Sequence, residues 1–519
     1  MKKFRLVCFG CKVNQYETEL LRQAILKHVV GSREVFGRWT NETDETGTSE
    51  ANGTGEASGT GEASGATRTG DSREELAERS DESPDRDESP DLVVIYTCTV
   101  TSESDSKCRR AIRHFARTFP RATIAVAGCY VRRQPQRFAQ DQFPEVDVVL
   151  DSDAAIVQFL MRLAGNATPS SQMEQKITAT FRVGLDAFPR LSRATLKIQD
   201  GCTQRCSYCI VPDARPGLKS RPMQVVLAEA KRFLAAGHHE IVLTGTHLGL
   251  YGLNWSPLEG EPPVFTADSL APRSGDSLTE LVQRLVELPS AAPYRIRLSS
   301  LESPELTSGI LRVAAERPDR FCPHFHLPMQ HASDAVLRRM RRRWSSERFT
   351  QRCLEIRESL PNVSLTTDVM VGFPGETDED FATLCETIRR IEFGSVHIFR
   401  YSRRAGTIAA TLDDPIPSGV KRERAAELAK VVRECRRTFW RHHSVEYPHR
   451  HVVVEGVSPY DPRRAIGTDE YYATCELPIG TVCESESPGR PRYPTWFEID
   501  TPQCVETDGV TRLRGDAAL

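Results

Sequence analysis

Three cysteines stand close together in the run Gly201-Cys-Thr-Gln-Arg-Cys-Ser-Tyr-Cys209. Thiolates at Cys202, Cys206 and Cys209 face one point only if the loop wraps around a shared ligand. Three cysteines on a four-iron cluster leave one iron without a protein ligand. The spacing therefore favours an iron-sulfur cluster, and the open iron is where chemistry would start.

Zinc is the main alternative for this loop, but zinc sites usually draw on paired C-x2-C motifs, and no fourth ligand stands nearby. Disulfides are not expected, because the chain has 15 cysteines in 519 residues and no signal peptide. The C-x3-C-x2-C pattern, with Tyr208 before its last cysteine, resembles the signature of the radical S-adenosylmethionine (SAM) superfamily. In that superfamily SAM occupies the open iron, and electron transfer gives a 5'-deoxyadenosyl radical.

Composition narrows the class of protein. The length predicts about three domains, and 39% hydrophobic content without a long apolar run predicts a soluble, cytoplasmic protein without a membrane span. Thiolates that bind iron also need a reducing compartment. A net charge of -3 excludes attraction of nucleic acid by a global positive field, so such a partner would be held by local basic patches.

Two segments differ from the rest of the chain. From about 40 to 91 the sequence is rich in Gly, Ser, Thr, Glu and Asp, and cannot bury enough apolar surface to order itself. A milder insertion, from Asn254 to Asp276, is predicted to be a surface loop. We therefore divide the chain into residues 1–165, which contain the first insertion, residues 190–435 and residues 440–519.

The first of these parts predicts an open parallel-sheet α/β domain. Its strands are Phe4 to Phe9, Leu92 to Tyr96 and Thr123 to Ala127, with helices at about Glu17 to His28 and Ser104 to Ala116. Each strand ends shortly before a cysteine, namely Cys11, Cys98 or Cys129. Because the carboxyl ends of parallel strands share one edge of the sheet, we expect these cysteines to converge, although each alone would more often be a small buried residue.

The other cysteines are expected to be core or surface residues; they are Cys8, Cys108, Cys322, Cys353, Cys385, Cys435, Cys475, Cys483 and Cys504.

The central part alternates strands and helices six times, which predicts a partial (β/α)6 TIM-like barrel with its active site at the carboxyl ends of the strands. The strands are Ala194 to Ile198, Glu240 to Thr244, Arg295 to Ser299, His324 to Leu327, Ser364 to Val371 and Ser395 to Tyr401. The helices include Met223 to Ala236, Leu278 to Leu288, Glu347 to Leu360 and Glu379 to Ile391. The tail has short strand-like pieces, His451 to Val454 and Tyr471 to Leu477 among them, and predicts a small all-β barrel.

Eight motifs together resemble the methylthiotransferase family across nearly the whole chain apart from the insertions. They are Gly10-Cys-Lys-Val-Asn-Gln-Tyr-Glu17, Thr97-Cys-Thr-Val-Thr101, Gly128-Cys-Tyr, the cysteine loop, Leu298-Ser-Ser-Leu-Glu302, His326-Leu-Pro-Met-Gln330, Thr367-Asp-Val-Met-Val-Gly-Phe-Pro-Gly-Glu-Thr377 and Tyr401-Ser-Arg-Arg-Ala-Gly-Thr407. The first two are similar to the branch that modifies N6-threonylcarbamoyladenosine at tRNA position 37. Branches that act on isopentenyladenosine or on a ribosomal protein aspartate carry different residues around the first two cysteines.

The resemblance implies two [4Fe-4S] clusters: a radical cluster on Cys202, Cys206 and Cys209, and an auxiliary cluster, whose free iron carries sulfur, on Cys11, Cys98 and Cys129. The target C2–H of adenine has no acidic proton and no leaving group, so a radical supplied by the cofactor solves the problem. A second SAM methylates the sulfur, giving 2-methylthio-N6-threonylcarbamoyladenosine. The implied partners are the tRNA anticodon loop, a reducing electron donor and a sulfur donor. Methylthiolation of isopentenyladenosine or of a ribosomal protein side chain is the alternative, and a noncatalytic RNA-binding relic is a third.

Several residues just past predicted strands, with Tyr208, are candidates for binding SAM: Ser300, Glu302, Gln330, Gly372, Gly375 and Glu376. For the last three, the alternative is a plain strand-to-helix turn capped by Thr377 and Asp378. His326 is either a core residue or a contact. The family commonly has Gln-Ser-Gly where this chain has Gln330-His331-Ala332, so the local pocket shape is expected to differ.

Three basic stretches are candidates for contacts with RNA: Lys107 to Arg117, Arg338 to Arg343, and Lys421 to His443, in which Trp440 stands among arginines. Such a run is usually a solvated helix face, but phosphate contacts supply much of the affinity for nucleic acid, and an aromatic beside arginine suits stacking on unpaired bases. The tail corresponds by position to the RNA-binding TRAM domain of the family. Its acidic character conflicts with a strong electrostatic hold on RNA.

Overall fold

The computed structural model describes residues 2–35, 89–165, 171–188, 191–253, 277–478, 496–499, 502–507, 510–515 and 517–518. Most of the predicted insertion from about 40 to 91, and all of the predicted loop from 254 to 276, lie outside these residues.

The N-terminal part is a five-stranded parallel sheet in the order β2-β1-β3-β4-β5. Its elements are β1 Lys3–Cys8, α1 Lys12–His28, β2 Arg33–Glu34, β3 Leu92–Thr97, α2 Ser102–Thr118, β4 Thr123–Gly128, α3 Cys129–Arg133, β5 Val148–Leu150, α4 Asp153–Leu163 and α5 Ser171–Val183. Val93 and Ile95 of β3 pack on the side of α2, whereas Leu92 and Val94 pack on the side of α1 and α4. Burial on both faces explains the continuous apolar runs of these strands.

The central part contains all six predicted strands, which are parallel to one another in two sheets. Its elements are β6 Arg193–Asp200, α6 Val211–Ala214, β7 Lys219–Ser220, α7 Met223–Ala235, β8 Glu240–Gly245, α8 Leu278–Val286, β9 Arg295–Leu298, α9 Ser308–Glu316, β10 His324–His326, α10 Asp334–Arg339, α11 Ser346–Ser359, β11 Ser364–Val371, α12 Asp378–Ile391, β12 Ser395–Arg400 and α13 Ser418–Glu446. One sheet has the order β7-β6-β8-β9 and the other β10-β11-β12, and a parallel bridge between Ile296 and Phe321 connects β9 to the segment before β10. We call β6 and β8 to β12 the central strands.

The tail is a seven-stranded sheet in the order β17-β18-β15-β14-β13-β16-β19. Its strands are β13 Arg450–Val457, β14 Arg464–Asp469, β15 Thr474–Pro478, β16 Trp496–Ile499, β17 Gln503–Thr507, β18 Val510–Arg514 and β19 Ala517–Ala518. All of its pairings are antiparallel except that of β15 with β18. From Arg450 on, the described tail therefore consists of β-strands and their connections, whereas residues 440–446 of the predicted tail belong to α13.

Two buried arginines join the tail to the central strands. The carboxylate of Glu240 accepts hydrogen bonds from Arg295 Nε at 2.6 Å and Arg297 Nε at 2.7 Å. The same guanidinium groups donate to tail carbonyls, Arg295 to Thr468 at 3.0 Å and Arg297 to Asp469 at 2.7 Å. These contacts hold the β14 to β15 turn against the central strands.

Helix α13 crosses the predicted boundary between 435 and 440 without a break. Its Trp440 is only 4% exposed, packs in the core of the tail sheet, and donates from Nε1 to the Gly394 carbonyl at 3.0 Å. The suggestion that Trp440 stacks on RNA bases is therefore wrong, because the ring is covered by protein. Lys421 and Arg424 of the same stretch are also buried, in ion pairs with Asp414 and Glu376. None of the described helices is long and apolar enough to cross a membrane.

Candidate active site

The loop with the three closely spaced cysteines follows β6, the first central strand. It begins with Gly201 at φ +83°, where a Cβ atom would lie 1.9 Å from the Gly217 carbonyl oxygen, so only glycine fits. Burial raises the pKa of the Cys209 thiol to about 12, and charge at Cys206 and Cys202 acts in the same direction. Three thiolates this close together would repel one another, and a cationic metal centre would offset that repulsion.

Two cations flank this cysteine loop, and sequence reasoning identified neither. His247 Nδ1 lies 3.4 Å from Cys202 Sγ, while its Nε2 is 2.6 Å from Glu305 Oε1. Burial lowers the pKa of His247, but the hydrogen bonds to Cys202 and Glu305 more than offset this and raise it to about 10. Arg342 Nη1 lies 3.6 Å from Cys206 Sγ, and its Nη2 donates to Glu302 at 2.6 Å. Arg342 lies within the basic stretch from Arg338 to Arg343 that is a candidate for RNA contacts, yet its side chain is buried while Arg341 and Arg343 are exposed.

The other three cysteines come together at the carboxyl ends of β1, β3 and β4. Cys11 precedes α1, Cys98 follows β3, and Cys129 is the first residue of α3. At Gly10, with φ +110°, a Cβ atom would lie 3.2 Å from Cys98 Sγ. Burial raises the pKa of Cys98 to about 12, with contributions from Cys11 and Cys129. The three lie close together, as the argument from strand ends predicts, and their role as cluster ligands stays a prediction.

Asn14 and Arg215 position this second triad. Asn14 Nδ2 donates to the carbonyls of Phe9 at 2.7 Å and Thr97 at 3.2 Å, and so ties the ends of β1 and β3 together. Arg215 is 5% exposed; its Nε donates to Cys129 Sγ at 3.1 Å and its Nη2 to Asn14 at 3.0 Å.

Arg215 also connects the two triads. Its Nη1 donates to Glu17 at 2.8 Å and to Asp200 at 2.9 Å, and Asp200 Oδ1 accepts from the backbone N–H of Gly201, directly before Cys202. A path of hydrogen bonds therefore runs from Cys129 to the backbone of the cysteine loop. No local signal in the sequence marks Arg215, because its partners are distant along the chain.

A cavity of about 430 Å³ lies among the three parts of the chain, within the size range of ligand sites. Its wall includes Cys11 and Lys12 from the N-terminal part, residues of the central strands, and Glu455 and Tyr472 from the tail. Of the residues predicted to bind SAM, Ser300 lines this cavity. The arrangement suits a substrate that reaches one cysteine triad through a space shared by all three parts.

His326 also lines the cavity, so it is a wall residue rather than a core residue. It lies 3.2 Å from Asp368. One ligand atom each of His326, Asp368 and His397 falls within 4.8 Å of the others.

The other predicted SAM contacts fall into two groups, and all stay predictions. Glu302, Tyr208 and Gln330 form the first group. Glu302 pairs with Arg342, which also lies 3.5 Å from the Tyr208 hydroxyl. Gln330 adopts a left-handed backbone at φ 68° next to β11, and its side chain has no hydrogen bond within the described residues.

The second group, Gly372, Gly375 and Glu376, forms the turn between β11 and α12. The Glu376 carboxylate accepts from the backbone N–H of Gly372 at 2.7 Å and from Arg424 at 2.8 Å. Thr377 and Asp380 form a capping box at the start of α12. None of the three lines the cavity, and the carboxylate holds the turn in shape. His331 is fully buried beside this turn, with Nδ1 accepting from Ser333 N–H at 3.0 Å.

Comparisons with known proteins agree with this geometry. Residues 196–388 match the model of the radical SAM superfamily, and residues 69–151 match that of the uncharacterized protein family UPF0004. The threonylcarbamoyladenosine tRNA methylthiotransferase MtaB of Bacillus subtilis is 36% identical over 342 residues, 65% of this chain and 71% of that protein. The protein of the same name from Thermotoga maritima is 30% identical over 406 residues, 76% of this chain and 84% of that protein.

Two further matches carry different names. The tRNA-2-methylthio-N(6)-dimethylallyladenosine synthase of Mycobacterium avium is 32% identical over 346 residues, 66% of this chain and 46% of that protein. The solved radical SAM methyltransferase TsrM of Kitasatospora setae, with cobalamin and a [4Fe-4S] cluster bound, has a TM-score of 0.46 and 14% identity, covering 79% of this chain and 74% of that one.

The fold, the cysteine loop and the matched region define a radical SAM protein, a class that uses SAM and a [4Fe-4S] cluster. Within that class, the chain belongs to the radical SAM methylthiotransferase family.

Proposed function

We propose that the protein adds a methylthio group to C2 of N6-threonylcarbamoyladenosine at position 37 of tRNA, giving 2-methylthio-N6-threonylcarbamoyladenosine. The relatives from Bacillus subtilis and Thermotoga maritima, which match 65% and 76% of the chain, are both named threonylcarbamoyladenosine tRNA methylthiotransferase. The observation that carries the proposal is the pair of cysteine triads connected through Arg215 and Asp200. Cleavage of SAM needs one triad, whereas insertion of sulfur needs a second site that delivers the sulfur.

In this proposal Cys202, Cys206 and Cys209 hold the radical cluster, and Cys11, Cys98 and Cys129 hold an auxiliary [4Fe-4S] cluster. When bound, SAM and the clusters supply the 5'-deoxyadenosyl radical and the sulfur. The residues around them supply charge and shape. His247 and Arg342 place positive charge beside two sulfurs of the cysteine loop, and Arg215 places positive charge beside Cys129.

We also propose that the other candidate residues contact bound SAM. Ser300 and Glu302 follow β9, and Gln330 lies next to β11, so they stand past the carboxyl ends of strands that carry the radical site. Tyr208 lies within the cysteine loop itself. Gly372, Gly375 and Glu376 would act through the shape of their turn.

We assign the N-terminal part to sulfur delivery, the central part to a TIM-like radical SAM barrel, and the tail to a TRAM-like module that contacts tRNA. Exposed arginines on α2, on α10 and directly after α10 suit phosphate contacts near the anticodon loop; they are Arg110, Arg113, Arg117, Arg338, Arg341 and Arg343. Lys430, Arg437 and Arg441 of α13 are exposed as well. A reducing electron donor and a sulfur donor complete the set of partners, and six thiolates that bind iron favour a cytoplasmic location.

The test uses anaerobically reconstituted protein with SAM, sulfide, a reductant and an anticodon stem-loop that carries N6-threonylcarbamoyladenosine. Mass spectrometry of the digested RNA is expected to detect the methylthio nucleoside. Parallel reactions contain loops with N6-isopentenyladenosine or unmodified adenosine. Product on the isopentenyl loop alone would favour the activity named for the Mycobacterium avium relative. No product on either modified loop, from protein that cleaves SAM, would contradict the proposal.

A further inference from the structure

Three polar groups in the cavity wall have no hydrogen-bonding partner within the described part of the chain: the Lys12 ammonium, the Tyr472 hydroxyl and His324 Nδ1. Lys12 directly follows Cys11 and lines the cavity, but its ammonium makes no hydrogen bond and no ion pair there. The hydroxyl of Tyr472, from the turn between β14 and β15, makes no hydrogen bond either. His324, only 3% exposed, bonds Thr366 through Nε2 at 2.9 Å, while its Nδ1 is buried without a partner.

These groups lie close to one another. Lys12 is the leading cause of a lowered pKa at Tyr472, which places the ammonium near the phenol. The Tyr472 ring stacks on the His324 ring with centroids 4.5 Å apart. All three residues line the same cavity, although they come from the N-terminal part, the central strands and the tail.

Tyr472 is held in an unfavourable backbone conformation at this position. Its φ is +72°, in the left-handed region, which costs a residue other than glycine about 1–3 kcal/mol. The Arg297 guanidinium lies 5.1 Å from the ring centroid and that of Arg193 5.7 Å. The surrounding contacts therefore fix the Tyr472 ring in the cavity wall.

The other charged groups of the wall are already paired. Arg193 forms an ion pair with Glu455, and Arg297 with Glu240. Asp368 lies 3.2 Å from His326. Lys12 is therefore a cation of the wall whose charge no described carboxylate neutralises, and a bound anion would do so.

We propose that Lys12, Tyr472 and His324 form a site for the carboxylate and hydroxyl of a threonyl group attached to N6 of the substrate adenine. The inference rests on the proposed function and adds the residues that select the substrate. The Lys12 ammonium and the Tyr472 phenol would donate hydrogen bonds to the threonyl carboxylate. His324 Nδ1 would form a hydrogen bond with the threonyl hydroxyl. An isopentenyl group would instead leave the ammonium against hydrocarbon, which is unfavourable for an unpaired charge.

The test compares Lys12→Gln with wild type in binding two anticodon stem-loops, one with N6-threonylcarbamoyladenosine and one with unmodified adenosine at position 37. A charge-assisted hydrogen bond corresponds to about a 10- to 100-fold change in Kd. We expect Lys12→Gln to lose that factor on the modified loop and to bind the unmodified loop as wild type does. Lys12→Arg, which keeps the charge, is expected to recover part of the preference. Lys27→Gln, an exposed lysine at the other end of α1, is the matched control and is expected to bind both loops as wild type does.

Iron content is measured for each variant, because Lys12 is next to a proposed cluster ligand. If Lys12→Gln loses iron, the test relies on Tyr472→Phe, which removes a single hydroxyl group. Tyr472 is distant in sequence from every cysteine of the two triads. Tyr472→Phe is expected to weaken binding of the modified loop about 3- to 10-fold, as for one hydrogen bond, and to keep its iron. Equal loss on both loops, or an unchanged preference for the modified loop, would overturn the inference. If wild type fails to methylthiolate the modified loop at all, the proposed function fails instead.

Discussion

The two cysteine triads present similar ligands through different kinds of structure. Cys202, Cys206 and Cys209 lie within a single loop after β6, whereas Cys11, Cys98 and Cys129 follow three different strands. The cysteines of the first triad converge through the conformation of one loop. Those of the second triad converge only when β1, β3 and β4 pair in parallel with the observed register. We therefore expect the second triad to be the more sensitive to mutations that disturb packing.

Their surroundings differ as well. Two cations contact the cysteine loop. His247 is held by the carboxylate of Glu305, and Arg342 is held by the carboxylate of Glu302. At the second triad, Arg215 contacts Cys129 and also holds Glu17, Asp200 and Asn14. Loss of Arg215 should therefore affect several strands together, while loss of either cation at the loop should stay local.

The largest effect is expected from removing each triad in turn. Replacing Cys202, Cys206 and Cys209 with alanine should reduce iron from about eight to about four per chain and abolish formation of 5'-deoxyadenosine. Replacing Cys11, Cys98 and Cys129 should also leave about four irons, but 5'-deoxyadenosine should still form while the methylthio product is lost. Iron analysis and mass spectrometry measure these outcomes, with Cys435→Ala on α13 as the control. Loss of all iron in either variant would show that the two sites are not independent.

The next largest effect is expected at Arg215. Its replacement by methionine leaves Glu17 and Asp200 with Lys197 alone, which pairs with both at 2.6 and 2.7 Å. Breaking a buried ion pair typically costs about 3–5 kcal/mol, and we expect the lower end because Lys197 remains. Urea unfolding followed by circular dichroism measures the loss. Arg284→Met, at an exposed pair with Glu280, should change stability by less than about 0.5 kcal/mol. A similarly small effect at Arg215 would mean that the hydrogen-bond path between the triads contributes little.

Asn14→Ala should have a smaller and more selective effect. It removes the bonds that tie the ends of β1 and β3 together, and leaving buried carbonyls without partners costs about 1–3 kcal/mol. Iron bound by the second triad should fall while 5'-deoxyadenosine formation persists. Asn362→Ala, remote on the α11 to β11 connection, serves as the control. If Asn14→Ala instead abolished SAM cleavage, the two triads would be more tightly coupled than the geometry indicates.

The smallest effect is expected at His247. Replacing it with asparagine removes a positive charge beside Cys202, and positive charge near a cluster favours its reduced form. The reduction potential of the radical cluster should become more negative by an amount on the order of tens of millivolts, while that of the auxiliary cluster stays the same. Redox titration followed by electron paramagnetic resonance measures both. Equal shifts at both clusters would indicate a change in global structure.

Much of the architecture follows from the sequence because it depends on local patterns. Short apolar runs predicted β1, β3 and β4, and the alternation of strand-like and helix-like segments predicted the six central strands, all within a few residues of their observed bounds. Convergence of the second triad was also predictable, because parallel strands end at one edge. The interpretation of Trp440 failed because a charged run does not show which face of a helix will be covered.

By itself the sequence determined the fold class, the cysteine loop and the family, since each depends on spacing within a short segment or on strand order. Only the tertiary structure placed Arg215 between the two triads, turned Arg342 inward, and brought Lys12 to Tyr472 across 460 positions of the chain. The physical reason is that such contacts form between side chains whose separation is fixed by the packing of whole elements. No local preference of the backbone encodes that packing.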